Sequence, residues 1–184
     1  MIRVAMDLFW EKGYENVSIM QIADAVGLPR ASIYHSFHDK ESIYLEALSI
    51  YFAEHPSKIA HSFEPSQDAT KLIFRMFYGF SSFLSEESKS RGCFGANAID
   101  EHLAADSDLG NRLREIAAAQ SKAFKNVITH AKKQGGLVTT RSPAKIARIM
   151  NVFIAGLSSA SKSGMRELEL REICRDFLKS LGFK

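Results

Sequence analysis

Apolar residues recur every three or four positions along almost the whole 184-residue chain. No stretch alternates apolar and polar residues in the way of a half-buried strand, so an all-helical protein is expected. A first helix carries Ile2, Ala5, Met6, Phe9 and Trp10 on one stripe and ends at Gly13. Ser18 and Gln21 have the spacing of a capping box, Val17 can staple against Ile22, and Gly27 suits a left-handed C-terminal cap. Two short helices over 19–26 and 29–36 therefore flank a tight turn, with Pro29 in the first turn of the second. Ile33, Phe37 and part of Tyr34 face inward there, which leaves Arg30, Ala31, Ser32 and His35 outward. Asp39 is placed to cap a fourth helix bearing Ile43, Tyr44, Ala47, Leu48, Tyr51 and Phe52.

Pro56 and Pro65 bracket a polar linker with room for one helical turn. From Asp68 the pattern resumes, and Ile73, Met76, Phe77, Phe80, Phe83 and Leu84 cover an arc broad enough for a central, buried helix. Residues 86–91 read as a charged loop, and 91–104 are rich in small residues, which allows close helix approach. A long helix over 108–134 has Leu109, Leu113, Ile116, Ala123, Val127, Ile128 and Ala131 on its stripe, stopped by Gly135 and Gly136. Ser142 with Pro143 opens the next helix, which carries Ile146, Ile149, Met150, Phe153 and Leu157. A last helix, over 169–181, repeats the pattern with Leu170, Ile173, Phe177, Leu178 and Leu181.

Charge changes the picture in one respect. The net charge is only +3, but it is unevenly spread. The first 55 residues hold four cations, Arg3, Lys12, Arg30 and Lys40, against eight carboxylates, a balance of −4 that leaves +7 for the remainder. A nucleic-acid partner for this segment therefore requires its few cations to share one face. Lys40 lies in the first turn of the fourth helix, where a cation meets the positive end of the macrodipole at a cost of about 0.3–1 kcal/mol. A bound phosphate would offset that cost, and a solvated lysine paired with Glu41 or Glu46 is the simpler alternative.

The stretch LFWEKGYENVSIMQIADAVGLPRASIYHSFHDKESIYLEAL closely resembles the DNA-binding domain of the TetR/AcrR family of bacterial transcriptional regulators. The likeness runs from Ala5 to about Leu48, with Phe9, Gly13, Tyr14, Ser18, Ile22, Ala23, Gly27, Ser32, Tyr34, Phe37, Lys40 and Glu41 at the family's spacing. It implies a three-helix helix-turn-helix domain over 1–48 whose recognition helix enters the major groove. A helical bundle for effector binding and dimerisation over 49–184 would follow, and residues 91–104 resemble a helix of one branch of the family. By position, Ser18 and Lys40 would contact phosphates, Arg30, Ala31 and Ser32 would sit at or near base edges, and Tyr34 and His35 would meet the DNA backbone. Arg30 suits bidentate readout of guanine, with a phosphate contact as its alternative. Members of the family carry a basic stretch ahead of the first helix, whereas these residues start inside that helix, the stretch being missing or trimmed.

The resemblance also implies a homodimer, with the last two helices packing on their two-fold copies through Ile149, Phe153, Leu157, Ala160, Ile173, Phe177 and Leu181. Both apolar faces could instead be consumed within one chain. An effector pocket in the second domain could be lined by Phe77, Phe80, Phe94, Phe124 and Phe153, with Asn97 or His102 as polar anchors for a largely apolar ligand. Plain core packing explains each of those residues singly as well.

Other chemistry is sparse. Cys93 could sense oxidants or electrophiles, or be a small core residue, and Cys174 reads as core. The six histidines, His35, His38, His55, His61, His102 and His130, form no ligand-spaced set, so neither a metal nor a cofactor is expected. Nucleophile-elbow, P-loop and dinucleotide motifs are absent, and adjacent pairs such as Asp100/Glu101 point apart on a helix. An enzyme is therefore not expected. Asp7, Glu11 and Lys12 break the N-terminal apolar run, and no apolar segment approaches the roughly 20 residues of a membrane span, which suggests a cytoplasmic protein. The function expected is a ligand-responsive regulator, most simply a repressor, that leaves its operator when a small molecule binds. A helical interaction module without DNA binding is the alternative, favoured by the acidic balance and opposed by Arg30, Lys40 and the capping box.

Overall fold

The computed structural model describes residues 1–86, 91–102 and 107–184, and over these the chain forms ten helices. They are α1 (Ile2–Lys12), α2 (Ile19–Val26), α3 (Arg30–Ser36), α4 (Lys40–Glu54), α5 (Lys58–His61), α6 (Ala69–Glu86), α7 (Phe94–His102), α8 (Asp108–Lys133), α9 (Pro143–Lys162) and α10 (Glu167–Leu181). An isolated antiparallel bridge joins Leu137 to Phe183. The expected charged loop at 86–91 lies largely outside the described residues, as does the end of the expected 91–104 helix. The fold divides into two compact units, Met1–Glu54 with Phe94–Arg114, and His55–Cys93 with Glu115–Lys184.

In the first unit, α1 packs on α4. The stripe of Ala5, Met6, Phe9 and Trp10 meets a face on which Ile43, Tyr44, Ala47, Leu48 and Tyr51 are buried. The contact is largely aromatic. Phe9 meets Tyr44 edge-on at 5.0 Å and Trp10 meets Tyr51 at 5.3 Å, while Phe94 of α7 approaches Tyr44 at 5.5 Å and Tyr51 at 5.6 Å. Edge-on pairs of this kind add about 0.5–1.5 kcal/mol each beyond burial. The helix-turn-helix is thus seated on a core completed by a helix from much later in the sequence. An exposed Arg3–Glu54 pair ties α1 to the end of α4 and contributes at most about 1 kcal/mol.

In the second unit, α6 is the central element and packs against α9 and α10. Ile73, Met76, Phe77, Phe80 and Leu84 are buried as their arc requires, with Phe83 half-buried. Asp68 caps α6 by accepting the Lys71 N–H at 3.0 Å, and Ser142 caps α9 by accepting the Lys145 N–H at 3.3 Å, with Pro143 opening the helix. α10 starts at Glu167, two residues earlier than its apolar pattern, because Glu169 folds back to accept the Arg166 N–H at 2.9 Å.

Three expectations need correction. Pro29 occupies the N-cap position and α3 begins at Arg30, because the proline holds an extended ψ of 140°. Tyr34 is exposed, at 44%, and Ile33 is the one buried residue of this short helix. Leu157 and Leu181, expected on the face for a second copy, are 3% and 5% exposed and belong to the chain's own core.

Candidate nucleic-acid interface

The helix-turn-helix is fixed by local bonds. The Ser18 hydroxyl accepts the Gln21 N–H at 3.2 Å, and the Gln21 side-chain oxygen accepts the Ser18 N–H at 2.7 Å. This closes the capping box and leaves the Ser18 hydroxyl hydrogen free to donate outward. At the other end of α2, Gly27 adopts φ 68° and ψ 30°, and the Leu28 N–H returns to the Ala23 carbonyl at 3.1 Å. A left-handed residue here turns the chain sharply enough to launch α3 within three residues.

Only Ile33 of α3 is buried. Arg30, Ala31, Ser32, Tyr34 and His35 are all exposed, and α3 has no carboxylate. The acidic balance of the first 55 residues therefore lies away from this helix in sequence, on α1, α2, α4 and the turns. One turn of helix brings Arg30 and Tyr34 together: the guanidinium donates to the Tyr34 hydroxyl at 3.2 Å and lies 5.4 Å from the centre of its ring. That brace limits the rotamers of an exposed arginine and so reduces the entropy lost when it binds.

Lys40 is neither a free cation nor the partner of Glu41 or Glu46. Its ammonium donates to the Tyr14 carbonyl at 2.9 Å and sits 4.1 Å from the centre of the Tyr14 ring. Carbonyl and ring face together offset the unfavourable helix end. Asp39 caps α4 as expected, accepting the Ser42 N–H at 2.7 Å, and that bond with a second from the Ser42 hydroxyl holds its carboxyl below the ordinary value. Tyr14 is pushed up to about 12, chiefly by burial and then by Glu41, Glu15, Asp39 and Glu101, so it remains a neutral phenol.

The residues expected to form an effector pocket divide between the units. Phe94, Asn97 and His102 lie on α7 in the first unit, where His102 is buried against the rings of Tyr14 at 5.0 Å and Tyr44 at 5.8 Å. In the second unit, Phe77, Phe80 and Phe124 surround a cavity of about 10 Å³ together with His55, Ser57, Met76 and Ile154. That is room for about one water molecule. Phe153 stacks flat on Phe177 with centroids 3.6 Å apart and lies 6.1 Å from Phe77, beside the cavity wall. Sequence reasoning overlooked His55, although it continues the apolar register of Leu48, Tyr51 and Phe52. Its Nδ1 accepts the Ser57 N–H at 3.2 Å, so Nε2 carries the hydrogen, 3.8 Å from the Cys93 sulfur. Burial pushes His55 down to about 3, which keeps the ring neutral. Cys174, bonded to the Ser81 hydroxyl at 3.4 Å, is pushed up to about 11 by burial.

On α9 and α10, Ile149, Phe153, Ala160 and Phe177 are half-buried and Ile173 is exposed. Val152 and Leu168, which the apolar pattern did not single out, are 74% and 73% exposed.

Residues 1–47, which contain this entire helix-turn-helix, match the model of bacterial regulatory proteins of the tetR family. The helix-turn-helix of residues 1–47 is of the TetR type. The chain is similar to the HTH-type transcriptional repressor ComR of Escherichia coli, 23% identical over 176 residues that span 95% of this chain and 84% of ComR. Identity is higher over a shorter stretch. The negative regulator IcaR of the Staphylococcus aureus biofilm operon icaADBC is 40% identical over 48 residues, 26% of each chain. Among solved structures, a TetR-family transcriptional regulator from Agrobacterium tumefaciens superposes with a TM-score of 0.82 at 21% identity, covering 98% of this chain and 95% of that one. The TetR-family regulator CifR, a cysteine mutant bound to 26-base-pair operator DNA, gives a TM-score of 0.76 at 20% identity, covering 98% and 94%. Among the described residues, no helix is long and apolar enough to cross a membrane, and no three His, Cys, Asp or Glu side chains are grouped to hold a metal ion.

Proposed function

We propose that this chain is a ligand-responsive transcriptional regulator, most simply a repressor, that binds operator DNA as a homodimer and is released by a small-molecule effector. The observation that carries this reading is α3 itself, a carboxylate-free helix that exposes Arg30 already braced on Tyr34. Arg30, Ala31 and Ser32 read base edges in the major groove, and Tyr34 and His35 meet the DNA backbone. Ser18 donates its free hydroxyl hydrogen to a phosphate. Lys40 keeps its bond to Tyr14 and has two further ammonium hydrogens for a phosphate.

Residues 1–48 are taken as the DNA-binding domain and the remainder as the effector-binding and dimerisation domain, acting in the cytoplasm and without catalytic chemistry. The second copy docks on α9 and α10, where Val152, Leu168 and Ile173 are exposed beside Ile149, Phe153, Ala160 and Phe177. Leu157 and Leu181 take no part. The effector is small and largely apolar and enters where Phe77, Phe80 and Phe124 gather, with neutral His55 as the polar contact. A cavity this small must open to admit it, and a ligand bound only by the open form shifts the population towards that form. The two recognition helices then no longer meet half-sites about 34–36 Å apart, or a multiple of that.

The test is binding of the purified chain to the DNA flanking its own gene across a salt series. Specific binding that weakens steeply with salt is expected. No preference over random DNA at low salt, with the dimer intact, would refute the reading.

A further inference from the structure

α7 belongs to the same compact unit as the helix-turn-helix, although Glu101 in its last turn is 87 residues beyond Tyr14. The Glu101 carboxylate accepts two backbone N–H groups from the turn between α1 and α2. Oε2 takes that of Tyr14 at 3.1 Å and Oε1 that of Glu15 at 3.3 Å. The turn is shaped for this approach. Gly13 has φ +80°, and a side chain there would bring its Cβ to 3.1 Å from Glu101 Oε1. The other side of residue 14 is held as well. Its carbonyl accepts the Lys40 ammonium, and its ring packs on Phe9, Tyr44 and His102.

Backbone N–H groups bonded to a carboxylate are among the stronger hydrogen bonds of a protein. Two of them on consecutive residues fix the peptide planes of the turn. Four residues beyond Tyr14 is Ser18, the cap of α2, so the turn decides where α2 starts and hence how α3 is presented. We propose that Glu101 is a positioning residue for operator binding, a clamp on the α1–α2 turn that holds the recognition helix in one orientation without touching DNA. This rests on the reading of α3 as the recognition helix. It also makes α7 part of the DNA-binding machinery, so that any change which shifts α7 pulls on the turn through the Glu101 carboxylate, beside the packing of His102 on the Tyr14 ring.

The clamp has a consequence opposite in sign to that of simple electrostatics. Removing a carboxylate from a DNA-binding unit raises its positive potential and should tighten DNA binding. Removing a clamp should weaken it. The experiment compares full-length parent, Glu101→Ala and Glu101→Gln for binding to the DNA flanking the gene, at a temperature where all three are fully folded, together with amide hydrogen exchange. Glu101→Ala is expected to bind about tenfold more weakly, with the slope of log K against log salt unchanged because no phosphate contact is lost. Exchange at Tyr14 and Glu15 should accelerate. Glu101→Gln should recover part of both effects, since its amide oxygen still accepts an N–H. Binding by Glu101→Ala as tight as the parent's or tighter, or unchanged exchange at Tyr14 and Glu15, overturns the proposal. A parent chain that ignores the operator refutes the DNA-binding reading instead, and the exchange rates then decide by themselves whether the clamp exists.

Discussion

Arg30→Ala is the substitution that most directly interrogates the recognition helix. The guanidinium is exposed, bonded to the Tyr34 hydroxyl at 3.2 Å, and part of a helix with a single buried residue. Its loss should hardly affect folding, because surface changes of this kind stay within about 0.5 kcal/mol. A bidentate contact to guanine is worth about 1–3 kcal/mol. A dimer loses it at each half-site, so affinity should fall by at least about thirtyfold at fixed salt. The salt slope separates the two roles open to this residue. A base contact leaves the slope unchanged, whereas each lost phosphate contact lowers it by about 0.9. Tyr34→Phe removes the hydroxyl and keeps the ring. If the hydroxyl serves as a brace, an exposed hydrogen bond of about 0.5 kcal/mol disappears, and the effect vanishes in the Arg30→Ala background. If Tyr34 meets the DNA backbone itself, its cost persists in that background. Binding measured by fluorescence anisotropy on the four proteins gives the whole cycle. Unchanged affinity in Arg30→Ala would refute the assignment of α3 as the reading helix.

Ser18→Asp should separate the two uses of Ser18. Aspartate caps a helix as well as serine does, so the melting temperature should hold, while a carboxylate facing phosphate should weaken operator binding; equal loss of both would show that Ser18 is only a cap. Val152→Glu, at a site 74% exposed, should leave the fold intact and shift the chain from dimer to monomer in sedimentation velocity, and a persistent dimer would place the interface elsewhere. His55 is held down to about 3 by burial against an ordinary value of 6.5, so the unfolded chain binds its proton first as the pH falls. Its contribution to stability is complete above about pH 6.5 and declines towards pH 3, by up to about 1.4 kcal/mol per pH unit. Urea midpoints between pH 7 and 5 should therefore fall more steeply for the parent than for His55→Gln, and parallel profiles would contradict a neutral buried ring.

How legible each feature was in the sequence follows from its range. The Ser18–Gln21 box, the Gly27 turn, the Asp39 cap and the Ser142–Pro143 start are each decided within about four residues, and each is where its spacing put it. Burial could be read, but partners could not. Phe94 and His102 are expected to line an effector pocket, and the structure packs them on the rings of Tyr14 and Tyr44 in the helix-turn-helix unit. Periodicity says that Leu157 and Leu181 are apolar, but not that their own chain consumes them. The Lys40–Tyr14 bond joins residues 26 apart, so no local pattern could distinguish that tether from a solvated lysine. Glu101 looked like half of an adjacent carboxylate pair, because the two N–H groups it accepts come from the opposite end of the unit's sequence.

The acidic balance of the first 55 residues seemed to count against DNA binding, and the structure reverses its meaning. Two of these carboxylates serve as acceptors. Asp39 caps α4 and Glu54 pairs with Arg3, while Glu101, brought in from α7, holds two backbone N–H groups. Asp39 settles a helix start and Glu101 a turn, and no carboxylate is on α3, where the outward residues include Arg30 and His35. Net charge sets long-range attraction to DNA, and here it contributes little. Affinity must then come from a few contacts presented in a fixed geometry, which is the regime in which a misplaced helix is most costly. A chain with so few cations on its recognition unit has more to lose from a loose α1–α2 turn than one that binds through bulk charge. The sign of the effect in Glu101→Ala therefore separates a regulator that depends on positioning from one that depends on potential.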